Sequence, residues 1–230
     1  SFILDKEKEF KNTDFIAKRS DLPFSNGDVL DDELLNDNDF SAAMLRPTHV
    51  SKTYDINNPD RSVCARISGV VANKYGDKGF DKLGGALNIT YNGSAGQSFA
   101  AFMIPGMNIT LQGQSNDYVG KSMCGGNLVI KPDDAVTFES QKNTIIGNTC
   151  FYGATGGNVY IGGRAGERLA VRNSGAKIVV EGAGDHCCEY MTGGRVIVLG
   201  KVGRNIGAGM TGGLAYVYDY TSNFEEKINS

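Results

Sequence analysis

Residues 184–219 read GDHCCEYMTGGRVIVLGKVGRNIGAGMTGGLAYVYD, and this stretch holds one unit written twice. In each copy a glycine pair precedes a short β-forming run: Gly193-Gly194 before Arg195-Val196-Ile197-Val198-Leu199, and Gly212-Gly213 before Leu214-Ala215-Tyr216-Val217-Tyr218. Working outward, the same unit returns at Gly175-Ala176-Lys177-Ile178, Gly156-Gly157-Asn158-Val159, Gly125-Gly126-Asn127-Leu128 and Gly106-Met107-Asn108-Ile109, with one more copy at Ala86-Leu87-Asn88-Ile89. From Gly106 to Gly212 the first positions are separated by 19, 31, 19, 18 and 19 residues, and the gap of 31 is one period plus a polar insertion of 12 around Lys131 to Asn143. A fixed period of this size marks a stacked architecture in which each unit buries its apolar face against its neighbours.

The unit has an inner half-period. Asn116, Gly147, Gly166, Gly184 and Gly203 each lie nine residues before the glycine of the next unit. Nine residues suit a strand of four or five plus a tight corner, so the spacing predicts strands in both halves of every unit. Runs this short, bounded by glycine and rich in Val, Ile and Tyr, are too brief for helices. The corner glycines Gly106, Gly125, Gly156, Gly175, Gly193 and Gly212 fit positions where the backbone needs positive φ or close approach between layers. The pattern predicts an all-β, right-handed parallel β-helix of about seven layers, roughly 34 Å tall at about 4.8 Å per layer. Right-handedness follows from subunits of nine and ten residues, because left-handed coils carry a hexapeptide pattern.

Composition sets the outer limits. The 230 residues are 40% apolar and 21% charged with net charge −3, which suits a globular domain and supplies no basic excess for nucleic acid. No apolar run reaches membrane-spanning length, and the opening Ser-Phe-Ile-Leu-Asp-Lys-Glu lacks the layout of a signal peptide. The five cysteines, at 64, 124, 150, 187 and 188, are odd in number and have no disulfide framework spacing, which points to a reducing, intracellular compartment. Asn-Ile-Thr at 88–90 and 108–110 and Asn-Gly-Ser at 92–94 match a glycosylation sequon but read as a by-product of the repeat register. The initial Ser in place of Met suggests a piece of a longer chain.

Four segments are expected: a charged linker over 1–45, a strand plus capping helix over 46–83, the glycine-repeat coil over 84–220 and a polar tail over 221–230. Asp31-Asp32-Glu33-Leu34-Leu35 opens a short helix within the linker. A strand is expected from Val50 to Ile56, then a helix over 61–75 with Asp60 as N-cap, Cys64, Ile67, Val71 and Tyr75 on its buried face, and Gly76 as its end. This helix would cover one end of the stack.

Candidate chemistry is sparse. Gly120-Lys121-Ser122 resembles the end of a phosphate-binding loop, but Ser115 stands where that motif needs glycine. Asp185-His186-Cys187-Cys188-Glu189 is the densest set of possible ligands. Strand alternation would point His186 and Cys188 one way and Cys187 the other, yet no second cluster has metal-site spacing, and a corner of the coil is the better reading. Arg164, Arg168 and Arg172 recur every four residues, as a solvated face or as a grip for an anion or a partner carboxylate. No serine has a nearby histidine and orienting acid. No catalytic, cofactor-binding or metal residue is assigned.

The stretches GSAGQSFAAFMIPGMNITLQGQSNDYVGKSMCGG at 93–126, IIGNTCFYGATGG at 145–157, RAGERLAVRNSGA at 164–176, GDHCCEYMTGGRVIVLG at 184–200 and GRNIGAGMTGGLAYVYD at 203–219 closely resemble the C-terminal glycine-repeat domain of the glutamate synthase large subunit. NPDRSVCARISG at 58–69 resembles it too. That family makes two glutamates from glutamine and 2-oxoglutarate, using FMN and an iron–sulfur cluster, and passes ammonia between sites through an internal tunnel. The resemblance implies a right-handed β-helix with no catalytic residue, packed against the amidotransferase and FMN-binding domains of the same chain. It implies no nucleic acid and no membrane as partners. Cys64 and Cys187 stand where relatives are expected to carry glycine. The expected function is mechanical: holding the amidotransferase and synthase domains in register. The alternative is a free-standing assembly subunit of a multisubunit oxidoreductase. A β-helix enzyme acting on polysaccharide is disfavoured, because the repeats carry no carboxylate cluster.

Overall fold

The computed structural model describes residues 28–46, 48–219, 222 and 224–228. The chain runs through helices α1 (Leu30–Leu35) and α2 (Asn38–Leu45), strand β1 (His49–Ile56), helix α3 (Ala65–Tyr75), and a 3-10 segment (Gly76–Leu83). Eight strands follow: β2 (Ala86–Ala95), β3 (Met107–Ser115), β4 (Cys124–Lys131), β5 (Thr144–Ile146), β6 (Gly156–Ala165), β7 (Ser174–Gly182), β8 (Thr192–Val198) and β9 (Gly212–Val217). All nine strands belong to one sheet in the order β1-β2-β3-β4-β6-β7-β8-β9, with the short β5 pairing both β3 and β6, and every pairing is parallel.

The sequence period is the sheet register. One row of partners runs Ile89, Ile109, Leu128, Val159, Ile178, Val196, Ala215, and a second runs Tyr91, Leu111, Ile130, Ile161, Val180, Val198, Val217. Every residue of these rows is buried except Ala215 and Val217 in the last strand. Burying a side chain of this size contributes about 1.5–3 kcal/mol, so the two rows form a continuous spine of the core.

The second half of each unit is not a strand, contrary to the nine-residue expectation. It is a series of tight turns in which alternate residues have positive φ: Ser98, Ala100 and Phe102 in one unit, Arg168, Ala170 and Arg172 in another, His186, Cys188 and Tyr190 in the next. Most of these are not glycine. The left-handed conformation costs an L-residue about 1–2 kcal/mol. Bonds between layers offset it. Arg168 N–H donates to the Asp185 carbonyl at 2.8 Å, Ala170 N–H to Cys150 at 2.9 Å and Arg172 N–H to Glu189 at 2.9 Å, so successive N–H groups point alternately to the layer after and the layer before. This half therefore still pairs layer to layer and lets every strand start again in the same direction.

Helices close one end. Leu34, Phe40, Ala43, Ile67, Val71 and Phe80 are buried in the same core as Tyr91 and Met107, and Ser68 Oγ reaches Met107 Sδ at 3.3 Å. The expected α3 face is buried at Cys64, Ile67 and Val71 and half-buried at Tyr75, and Gly76 follows its last residue. Its start differs. The helix begins at Ala65 with Cys64 at φ 79° as N-cap, while the Asp60 carboxylate instead accepts the N–H of Asn57 at 2.7 Å and closes a turn. The segment expected as linker contains two helices over its described part, residues 28–45, and residues 1–27 lie outside the described residues. The insertion is an exposed loop over 132–139, followed by a 3-10 turn at Ser140–Lys142. Among the described residues no helix is long and apolar enough to cross a membrane.

Candidate functional site

The glycine pairs sit at the strand starts. Gly156 and Gly212 open β6 and β9, Gly125, Gly175 and Gly193 are second residues of β4, β7 and β8, and Gly106 immediately precedes β3. At Gly193-Gly194 the two positions divide the work. A Cβ on Gly193 would fall inside contact distance of the Ser174 carbonyl oxygen in the layer before, while Gly194 has φ +80°. At the equivalent step Gly175-Ala176 the second glycine is missing, and buried Asn173 takes over: its Oδ1 accepts the N–H groups of Gly175 at 3.2 Å and Ala176 at 2.9 Å, and its Nδ2 donates to the Ala176 carbonyl at 3.1 Å.

Side chains add rungs between layers. Asn108 Nδ2 donates to Asn88 Oδ1 at 2.8 Å, Asn127 Nδ2 to Asn108 Oδ1 at 2.7 Å, and Asn158 Nδ2 to Asn127 Oδ1 at 2.9 Å. Two of these asparagines, Asn88 and Asn108, belong to the sequon matches, so the repeat register does account for them. Sequence reasoning saw the repeated Asn without the ladder. A second set lies at the inner corners. Asp185 Oδ1 accepts the Arg204 N–H at 2.8 Å, and Oδ2 accepts from its Nε and Nη2 at 3.2 and 3.0 Å. The bonds from Arg204, the backbone one first, hold the Asp185 carboxyl below its ordinary value. A Cβ on the neighbouring Gly203 would collide with that carboxylate, which is why the inner corner is glycine.

The 185–189 set lies in the turns between β7 and β8. Cys187 and Cys188 are both buried with sulfurs 3.6 Å apart, so strand alternation fails here: the segment is built of alternating-φ turns. It is Cys188 that has positive φ; Cys187 does not. His186 Nδ1 lies 2.6 Å from Glu189 Oε1. The Cys188 contact first, then burial, push the Cys187 thiol well up. Among the described residues no group of three or more His, Cys, Asp or Glu is placed to hold a metal ion.

The three arginines part company. Arg168 and Arg172 are exposed on the turn half, whereas Arg164, at the end of β6, is half-buried and lies across Gly182. It lines a cavity of about 580 Å³ with Gln141, Lys142, Glu181, Leu199, Gly200 and Lys201. Lys121, in the loop-like Gly120-Lys121-Ser122, lies in a turn with its Nζ 5.7 Å from the centre of the Tyr118 ring.

A family model described as the GXGXG motif matches residues 31–230. The chain is 58% identical over 205 residues to the chloroplastic ferredoxin-dependent glutamate synthase of Spinacia oleracea, and 60% identical over 205 residues to ferredoxin-dependent glutamate synthase 2 of Arabidopsis thaliana. It is 58% identical over 205 residues to ferredoxin-dependent glutamate synthase 2 of a Synechocystis species. Each alignment covers 89% of this chain but only 12% or 13% of the relative. The stacked glycine corners and the match over nearly the whole described chain agree: this chain belongs to the GXGXG-motif family.

Proposed function

We propose that this chain is the non-catalytic glycine-repeat domain of a larger glutamate synthase polypeptide, coiled as a right-handed parallel β-helix of about seven layers. Its work is mechanical. It holds the amidotransferase and FMN-binding domains at a fixed separation, so that ammonia released at one site reaches the other. The parent carries FMN and an iron–sulfur cluster outside this chain and acts in the cytoplasm or a plastid. We assign the strand and cap to 46–83 and the coil to 84–220, with the helices of residues 28–45 packed onto the cap. The six corner glycines keep the layers in contact.

The observation that carries this reading is the unbroken layer-to-layer bonding. A body whose strands pair by backbone from β1 to β9, with asparagine rungs from Asn88 to Asn158, resists bending, which is what a spacer between two active sites needs. The identity to glutamate synthases supports the choice of parent.

The test is the mass of the native polypeptide, read with an antibody raised to this chain. A single band far above 24.6 kDa is expected. A band near 24.6 kDa would overturn the domain reading and leave an independent assembly subunit.

A further inference from the structure

The polar insertion that breaks the period also builds a cavity. Its 3-10 turn places Gln141 and Lys142 opposite Arg164, Glu181, Leu199, Gly200 and Lys201, which come from the ends of β6, β7 and β8. Ser140 Oγ bonds Glu181 Oε2 at 2.7 Å and ties the turn to the sheet. The space, about 580 Å³, is within the range of ligand sites.

Its lining sets Lys142, Arg164 and Lys201 against the single carboxylate of Glu181. Lys142 is paired with Glu139 outside the cavity. Arg164 and Lys201 make no ion pair or side-chain hydrogen bond with any described residue. Arg164 Nε is buried with no acceptor. Gly182 makes that burial possible, since a Cβ there would lie 2.8 Å from Arg164 Cγ and 3.1 Å from Nε. A guanidinium nitrogen withdrawn from water without an acceptor is costly, and a carboxylate is the group its planar donors match best.

The rim is apolar. Leu199 lines the cavity and is 51% exposed. Beside it on the outer face, Tyr160, Val179, Ile197 and Tyr216 pair in register across four strands, with Tyr160 and Tyr216 51% and 52% exposed. A small free anion would leave this surface uncovered, whereas a protein segment covers both.

We propose that this face is a docking surface for an acidic segment of the remainder of the parent polypeptide. One Asp or Glu carboxylate enters the cavity and bonds Arg164 and Lys201, and apolar neighbours in that segment cover Leu199, Ile197 and Tyr216. The occupant is taken from the parent because the matched relatives extend to about eight times the span that this chain covers, and that length supplies the covering segment. The proposal rests on the reading of this chain as one domain of a larger glutamate synthase.

The experiment uses the intact native parent polypeptide, so a failure of the domain reading shows first as a band near 24.6 kDa and is separate from the labelling result. Lysine acetylation is timed in the native and the guanidinium-unfolded parent, and a carbodiimide joins lysines to carboxylates already in contact with them. Lys201 should acetylate about tenfold more slowly in the native parent, and the carbodiimide should couple it to an Asp or Glu outside residues 1–230. Arg164→Gln should raise Lys201 acetylation in the native parent while the other lysines keep their rates. Equal acetylation in native and unfolded parent would overturn the proposal. So would coupling confined to Glu181, or protection that appears only with added dicarboxylate and disappears on desalting, which would make the occupant a free anion.

Discussion

Asp31 Oδ1 accepts the N–H of Cys64 at 2.8 Å and Oδ2 accepts that of Arg66 at 3.0 Å, so a carboxylate more than thirty residues upstream caps the helix that closes the stack. The cap residue Cys64 makes no side-chain bond to its own helix. Arg66 Nη1 also pairs with Asp32 Oδ1 at 2.6 Å, and together these contacts hold α1 on α3.

Asp31→Ala leaves two N–H groups without their acceptor and should cost about 1–3 kcal/mol. The effect depends on pH. Burial raises the Asp31 carboxyl above its ordinary value, against the opposing N–H bonds from Cys64 and Arg66. The folded chain therefore holds this proton more tightly than the unfolded chain does. Stability from this group falls as pH rises from the ordinary carboxylate value through the raised one. Urea unfolding of both proteins across that window should show the wild-type advantage larger on its acid side than at neutral pH. A gap that widens towards neutral pH would contradict the assignment.

Asn127 sits mid-ladder, donating to Asn108 and accepting from Asn158. Asn127→Ala breaks both rungs and should destabilise by about 1–2 kcal/mol in chemical denaturation. Asn127→Asp removes the donor and should cost more, because its carboxylate then faces Asn108 Oδ1. Two variants as stable as the wild type would mean the ladder adds nothing to the stack.

Thiol reactivity reads the packing of the turn half. Cys64, Cys150, Cys187 and Cys188 are buried and Cys124 is exposed. Burial pushes the Cys150 thiol up to about 12 and raises Cys64 as well. A chromogenic disulfide reagent at neutral pH should titrate one thiol in the native chain and all five in guanidinium. Fast reaction of a second or third thiol in the native state would show that a segment burying one of these cysteines opens.

The spacing of Gly106, Gly125, Gly156, Gly175, Gly193 and Gly212 made the parallel register legible, because each strand begins at a close approach that excludes a side chain. The β1 strand and the end of α3 at Gly76 were legible for similar local reasons. The turn half was not. Positive φ at Ser98, Phe102 and Arg168 is held by bonds to neighbouring layers, and no residue type announces it. α3 starts at Ala65 and not after Asp60, and the carboxylate that holds its first turn, Asp31, is distant in sequence. Arg164 was singled out by its spacing to Arg168 and Arg172, yet its cavity depends on Gly182, Lys201 and the insertion, which meet only across layers.

The proposed coupling of two distant active sites by a stiff stack should weaken in Gly193→Ala of the intact parent enzyme. The added methyl meets the Ser174 carbonyl and should loosen one layer by about 1–3 kcal/mol while the chain still folds, as circular dichroism would verify. The measurement is glutamine consumed per glutamate formed. Glutamine consumed per glutamate should rise, with ammonia appearing in the medium. An unchanged ratio in a folded variant with a measurably weakened stack would contradict it.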